Sequence, residues 1–257
     1  MAPSRDSIWP YVASFAATLG EVPAMTLYRN QNLCFDRFIS IPAMFTSYPI
    51  DIHTHHLPAI AGEAIVSLSP HQFSPQPGHW YAVGIHPWDT DKLDILDEMA
   101  LFKKCITHPQ IIAIGEAGLD ALRGASISQQ RHYFITQAEV AEQQQKPLII
   151  HLVKALDELL AIQRQLSPSV PWIIHGFRGK PQQAHQLLSR GFYLSYGLRF
   201  NPESLRITPT ERLLIESDEE LTTTEQLCET IAQARHQTSE EVRKSLDENV
   251  KKLFFNA

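Results

Sequence analysis

Five short apolar runs in this chain each end in side chains able to hold a metal ion. They are Tyr48-Pro-Ile-Asp-Ile-His53-Thr-His55, Ile111-Ile-Ala-Ile-Gly-Glu116, Pro147-Leu-Ile-Ile-His151, Trp172-Ile-Ile-His175 and Arg212-Leu-Leu-Ile-Glu-Ser-Asp218. A run of Ile and Leu closed by His, Glu or Asp reads as a buried strand that delivers a polar group at its C-terminal tip. One such run says little. Five in order, separated by helix-like segments, predict a (β/α) barrel whose C-terminal face carries a metal site.

The rest of the chain agrees with that architecture. Its 257 residues suffice for one barrel, which typically needs about 250. Eight strand candidates follow residue 43, near 48–53, 63–68, 80–85, 110–115, 147–151, 171–175, 191–196 and 212–217. Apolar positions at three- and four-residue spacing predict helices over 91–107, 126–145, 153–166, 180–190 and 223–236, and Ser239-Glu-Glu opens another over 239–254. The first two units are abnormally short. About ten residues separate strands one and two, and a similar number separate two and three. A parallel crossover normally takes a dozen or more, so no full helix fits there. The expected fold is an α/β TIM (β/α)8 barrel over residues 44–257, with shortened first two units.

Residues 1–43 read as an N-terminal extension, and covering the thin part of the barrel wall is one role for it. Arg5 and the run Ile8–Leu19 imitate a signal peptide, but Asp6 and Pro10 oppose that reading. Met44 is a candidate second start.

The formal net charge of −6 gives no global sign of a nucleic-acid binder, although a local basic rim around a metal site would suffice for one. Cys34, Cys105 and Cys228 lie far apart, form no pair motif, and suit a reducing compartment such as the cytoplasm. No apolar run approaches the roughly 20 residues of a membrane helix. Nothing specifies an oligomer, and a monomer is the default.

Residue by residue, His53 and His55 stand two apart on a strand and therefore share a face, which makes half a divalent-metal site. Glu116 lies between Gly115 and Gly118, and its two oxygens can serve two ions. His151 and His175 each follow an apolar run on successive strands. Glu216 and Asp218 share a face, and Asp218 is nearer the tip. His86, within Gly84-Ile-His-Pro87, is expected to touch substrate rather than metal. Lys154, Arg178 and Arg199 follow the tips of strands five, six and seven, where they suit a phosphate-binding rim, as does Lys180. Trp88, Phe177 and Tyr196 are candidates for stacking on a base or for loop packing.

Together these motifs resemble one family. Asp51-Ile-His-Thr-His-His-Leu57, Gly84-Ile-His-Pro87, Ile114-Gly-Glu-Ala-Gly-Leu-Asp120, Pro147-Leu-Ile-Ile-His151, Ile174-His-Gly-Phe-Arg-Gly179 and Leu214-Ile-Glu-Ser-Asp218 are similar to the signature blocks of TatD-family metal-dependent hydrolases, in the family's order. Asn249-Val-Lys-Lys-Leu-Phe254 resembles the family's C-terminal block.

The resemblance implies a two-metal barrel of the amidohydrolase superfamily that hydrolyses ester bonds, with DNases of the 3′-to-5′ exonuclease type as the best-known members. It implies that His53, His55 and Asp218 hold one ion, that His151 and His175 hold the other, and that Glu116 bridges. The chain departs from the family after the fifth-strand histidine, where Leu152-Val-Lys154 stands in place of an early arginine. It departs again after Asp218, where Glu219 and Glu220 replace a nearby proline.

The expected reaction is phosphodiester hydrolysis. Two ions, Mg, Mn or Zn, about 3.5–4 Å apart clamp the phosphate and activate a water. Asp218 takes the proton, and Glu116 works beside it. One rival is a hydrolase of a small phosphorylated metabolite, an amide or a lactone on the same scaffold. Another is an inactive metal-binding module, which the retained ligand set opposes. The Asp-x-His-x-His-His opening also resembles PHP-type phosphoesterases, and the Gly-Glu-x-Gly-Leu-Asp block argues against that group.

Overall fold

The computed structural model describes residues 48–92 and 94–255. The expected extension at 1–43 and the question of Met44 lie outside the described residues. Strands β1 (Asp51–Thr54), β2 (Ala64–Leu68), β3 (Trp80–Val83), β4 (Ile111–Asp120), β5 (Leu148–Val153), β6 (Trp172–Ile174), β7 (Tyr193–Tyr196) and β8 (Leu213–Ile215) close into a parallel barrel in chain order. Each lies within a few residues of its predicted position. β4 is the exception: it runs on to Asp120 rather than stopping before Glu116. Its register against β5 slips between Ile114 and Ala117, so Glu116 sits in a bulge within a strand and not at its tip.

Helices α1 (Ile95–Cys105), α2 (Ile127–Gln144), α3 (Leu156–Leu166), α4 (Pro181–Leu188), α5 (Pro202–Ile207), α6 (Thr224–Arg235) and α7 (Ser239–Val250) follow β3 to β8. No α-helix separates β1 from β2 or β2 from β3, as the short spacing predicts; one 3-10 turn, Pro70–Gln72, is all that intervenes. The short α5 is not among the sequence-based expectations. Asn201 starts it by accepting from the Glu203 and Ser204 amides, with Pro202 fixing the first helical φ.

Strand alternation divides the core in two. Ile52, Ile65, Ala82, Ile149, Ile173 and Leu214 point inward and fill the barrel. Val66, Val83, Ile114, Leu148, Ile150 and Leu194 point outward, where Phe134, Leu159, Leu187, Leu227 and Leu246 cover them. The barrel floor is plugged by the chain's end, in which Val250, Leu253, Phe254 and Phe255 join the inner cluster and Phe255 meets the Trp80 ring at 5.2 Å. With the floor closed, the polar strand ends open at the opposite face.

Two glutamines of α2 tie that face to the frame. Gln137 accepts from the Ile85 amide (2.7 Å) and donates to its carbonyl (3.1 Å), which fixes the chain just before His86. Gln130 accepts from the Asp120 amide (2.7 Å) and donates to three carbonyls around the loop after β4.

Candidate metal centre

The seam between β1 and β8 builds the first part of the site. The Asp218 amide donates to the His53 carbonyl (2.9 Å), and the His55 amide donates to the Asp218 carbonyl (3.1 Å). These bonds bring three donors together: the Asp218 carboxylate lies 3.8 Å from His53 Nε2 and 3.7 Å from His55 Nε2. Beneath them Asp51 accepts from the amides of Ser217 (3.1 Å) and His53 (3.3 Å). Burial pushes its carboxyl up to about 7, against the pull of those bonds.

Glu116 is the centre of the site. One oxygen, Oε2, lies 3.4 Å from His53 Nε2 and 3.3 Å from His55 Nε2. The other, Oε1, lies 2.8 Å from His175 Nε2, 2.9 Å from His151 Nδ1 and 3.1 Å from His86 Nε2. The close approach of β4 to β5 depends on Gly118, where a Cβ would stand 2.0 Å from the His151 carbonyl oxygen. Burial alone raises the Glu116 carboxyl. The His175 and His53 imidazoles, with hydrogen bonds to His151 and His175, outweigh it and hold the group well below the usual carboxylate range.

Two carboxylates stand behind the histidines. Glu216, fully buried, lies 3.3 Å from His175 Nδ1. Burial disfavours a charged His175, but Glu116 and Glu216 outweigh it and push the imidazole well above its ordinary range. Asp120 lies 3.4 Å from His151 Nε2 and accepts from the Trp88 indole N–H at 2.6 Å. Spacing places Asp120 and Glu216 near the tips, but it gives no sign that they back the histidines. That role depends on where the second ring nitrogen of each imidazole points.

The structure therefore brings His53, His55, Glu116, His151, His175 and Asp218 into one cluster of groups able to hold a cation. It adds His86, expected at the substrate rim, which packs with Glu116 and His151. The remaining histidines, His56, His71, His79, His108, His132, His185 and His236, join no such group among the described residues. Tyr196 is buried in the wall and offers no surface to a base, because strand alternation on β7 turns it toward the helices; Phe177, 6% exposed, follows β6 and lines the cavity over the tips of β5 and β6. Trp88 keeps 42% of its surface exposed. Lys154 and Arg178 are exposed and line a cavity beside the cluster, and Arg199 lies in the next recess, paired with Glu220 at 2.6 Å.

The donor set fits a divalent ion. Four imidazoles and two carboxylates suit Zn or Mn, and the carboxylates also serve Mg. Neither ring nitrogen of the wholly buried His53 makes a hydrogen bond, and a metal partner would resolve that cost. Fold and site together define a parallel barrel with a candidate metal centre at the C-terminal ends of its strands.

The family described as TatD related DNase matches residues 71–255. The uncharacterised metal-dependent hydrolase YabD of Bacillus subtilis strain 168 is 30% identical over 196 residues, covering 67% of this chain and 76% of that one. The 3′-5′ ssDNA/RNA exonuclease TatD of Salmonella typhimurium is 33% identical over 153 residues, covering 55% of this chain and 58% of its own. The chain thus spans little more than half the length of that relative. Two solved structures share the fold: the Escherichia coli K12 TatD homolog YJJV (TM-score 0.66, 20% identity, covering 76% of this chain and 87% of that one) and a TatD family hydrolase of Entamoeba histolytica (TM-score 0.62, 16% identity, covering 76% and 85%). This chain belongs to the TatD-related DNase family, and it is a metal-dependent hydrolase. The family match begins after β1 and does not reach His53 and His55, whose place in the site rests on their sequence motif and on the geometry. No helix among the described residues is long and apolar enough to cross a membrane.

Proposed function

We propose that the protein is a divalent-metal-dependent exonuclease that shortens single-stranded nucleic acid from its 3′ end at a two-metal site. The observation that carries this reading is the division of Glu116. Its Oε2 faces His53 and His55, and its Oε1 faces His151 and His175. That is the arrangement of a carboxylate shared between two ions. Mg, Mn and Zn are the candidates, and the exonuclease named above supplies the substrate class.

The site residues divide the work. His53, His55 and Asp218 would hold one ion, His151 and His175 the other, with Glu116 offering one oxygen to each. Bound there, the ions supply positive charge against the scissile phosphate and acidify a water. Asp218, 26% exposed at its side chain, reaches the opening and accepts the proton of the attacking water. Lys154, Arg178 and Arg199 neutralise phosphate oxygens left outside the donor cluster.

The test is hydrolysis of a 5′-labelled single-stranded oligonucleotide with Mg, Mn or Zn, beside Glu116→Ala and Asp218→Ala. The expected result is a ladder shortening from the 3′ end, lost in both variants. Metal binding without cleavage under any ion would favour a second reading, a small phosphorylated substrate, which the exposed Glu219 at the mouth makes easier to accommodate than a long polyanion.

A further inference from the structure

The donor cluster stands between two unequal cavities that share His151, His175 and Asp218 as a common wall. The larger, about 1060 Å³, lies over the tips of β5 and β6, where Lys154 and Arg178 line it beside apolar Leu156, Phe177 and Leu187. Of its two further carboxylates, Asp157 and Glu158, the second is held by Arg131. A recess of about 250 Å³ continues it toward Arg199, which pairs there with Glu220; Glu219 lies between this recess and the smaller cavity and lines both. The smaller cavity, about 310 Å³, lies over the tips of β1 to β3 and is lined by Ser67, Ser69, Gln72, Trp88, Asp89 and Glu219. Among the described residues no lysine or arginine lines it. Lys92 offsets Asp89 at 2.7 Å, and Arg123 stacks on the Trp88 ring at 4.4 Å without entering the lining. Glu219 is the charge a ligand meets there.

The mouth is thus electrically lopsided. A nucleic-acid strand carries a negative charge at every linkage, so it is drawn to the side where Lys154 and Arg178 stand and repelled from the lobe where no lysine or arginine offsets Glu219. A neutral nucleoside bears no such penalty, and the smaller cavity suits one such unit rather than a strand. Its serine and glutamine side chains suit sugar hydroxyls, and Trp88, fixed by its bond to Asp120, offers a flat surface to a base.

We propose, resting on the nuclease reading above, that the strand crosses this site in one direction only. The body of the chain lies over β5 to β7, and the 3′-terminal nucleoside fills the lobe over β1 to β3. In the reaction the water oxygen bonds to phosphorus and the bond from phosphorus to the preceding nucleotide's O3′ breaks. The water's proton passes to Asp218, and the departing O3′ takes up a proton from solvent water to leave as a hydroxyl. The released unit is a nucleoside 5′-monophosphate whose sugar and base occupied the small lobe. A phosphate on the terminal 3′ oxygen would place a second anion against Glu219 with no cation to receive it. The enzyme therefore selects ends that lack a 3′-phosphate.

The experiment compares three 5′-labelled single strands of one sequence, ending in 3′-hydroxyl, 3′-hydrogen or 3′-phosphate, with the Mn-loaded protein and with Glu219→Gln. Hydroxyl and hydrogen ends are expected to shorten at similar rates, and phosphate ends at least tenfold more slowly. Glu219→Gln should narrow the ratio between hydroxyl and phosphate ends several-fold. Equal rates on hydroxyl and phosphate ends would overturn the proposal while leaving the exonuclease intact. A phosphate penalty that Glu219→Gln does not change would overturn the placement of the end in this lobe. No cleavage of any of the three, with metal bound, would overturn the nuclease reading and this proposal with it.

Discussion

Glu216 and Asp218 stand two apart at the end of one strand, yet the barrel gives them different surroundings. Asp218 reaches the opening, whereas Glu216 is fully buried against His175 Nδ1. A carboxylate behind a metal-binding histidine fixes which ring nitrogen is free and how the ring is turned. Glu216→Gln should therefore weaken metal binding about 10–100-fold without unfolding the barrel. Titration calorimetry on chelator-stripped protein, read beside an unchanged circular dichroism spectrum, checks this. Wild-type affinity in that variant would restrict Glu216 to packing. The six clustered donors were legible in the sequence because each belongs to a run that can only be a buried strand. The backing carboxylates were not, and neither was the burial of Phe177 and Tyr196. Both depend on where neighbouring strands place their side chains, which spacing along one strand does not encode.

At the scale of elements, strand positions were legible to within a few residues, since apolar runs bounded by turn residues leave little choice. The bulge in β4 and the six-residue α5 were hidden, because a register slip and a single-turn helix leave almost no periodicity to read. Helix starts are a stronger signal. Thr238 caps α7 by accepting from the Glu241 amide (3.2 Å), and Glu241 accepts in return from the Thr238 amide (2.8 Å) and hydroxyl (2.9 Å). Thr238→Ala should cost about 1 kcal/mol in chemical denaturation. The Thr238 amide, then its hydroxyl, hold the Glu241 carboxyl below its ordinary range. A depressed folded value means that its contribution is present at neutral pH and is lost as the pH falls through that value. The stability gap between the native protein and Glu241→Gln should accordingly shrink on acidification below about pH 4, and a gap independent of pH would refute the assignment.

Across the whole molecule, the floor and the mouth make separate demands. Phe254 is 4% exposed within the inner cluster, and Phe254→Ala should destabilise the protein by about 3–5 kcal/mol through the cavity it leaves. Metal affinity should survive in the fraction that remains folded, since the plug lies at the far end from the donors. Chelation should do the reverse. It leaves the plug intact and lowers the melting temperature in proportion to the metal affinity lost, because an ion held only by the folded barrel stabilises that state. A melting curve indifferent to chelator would contradict the proposed centre.

β1 pairs with β8 through Asp51 and Ile215, and the seam continues past β8 through the backbones of His53, His55 and Asp218, the same residues whose side chains converge at the mouth. The clasp of the barrel and one corner of the metal site are therefore a single object. No fragment lacking either end of the barrel can assemble that corner, and an ion held there would act as a rivet across the seam between the first and last strands. Parting that seam and losing the ion become one event, so release of the bound metal during slow unfolding should report the moment at which the ring of strands comes open.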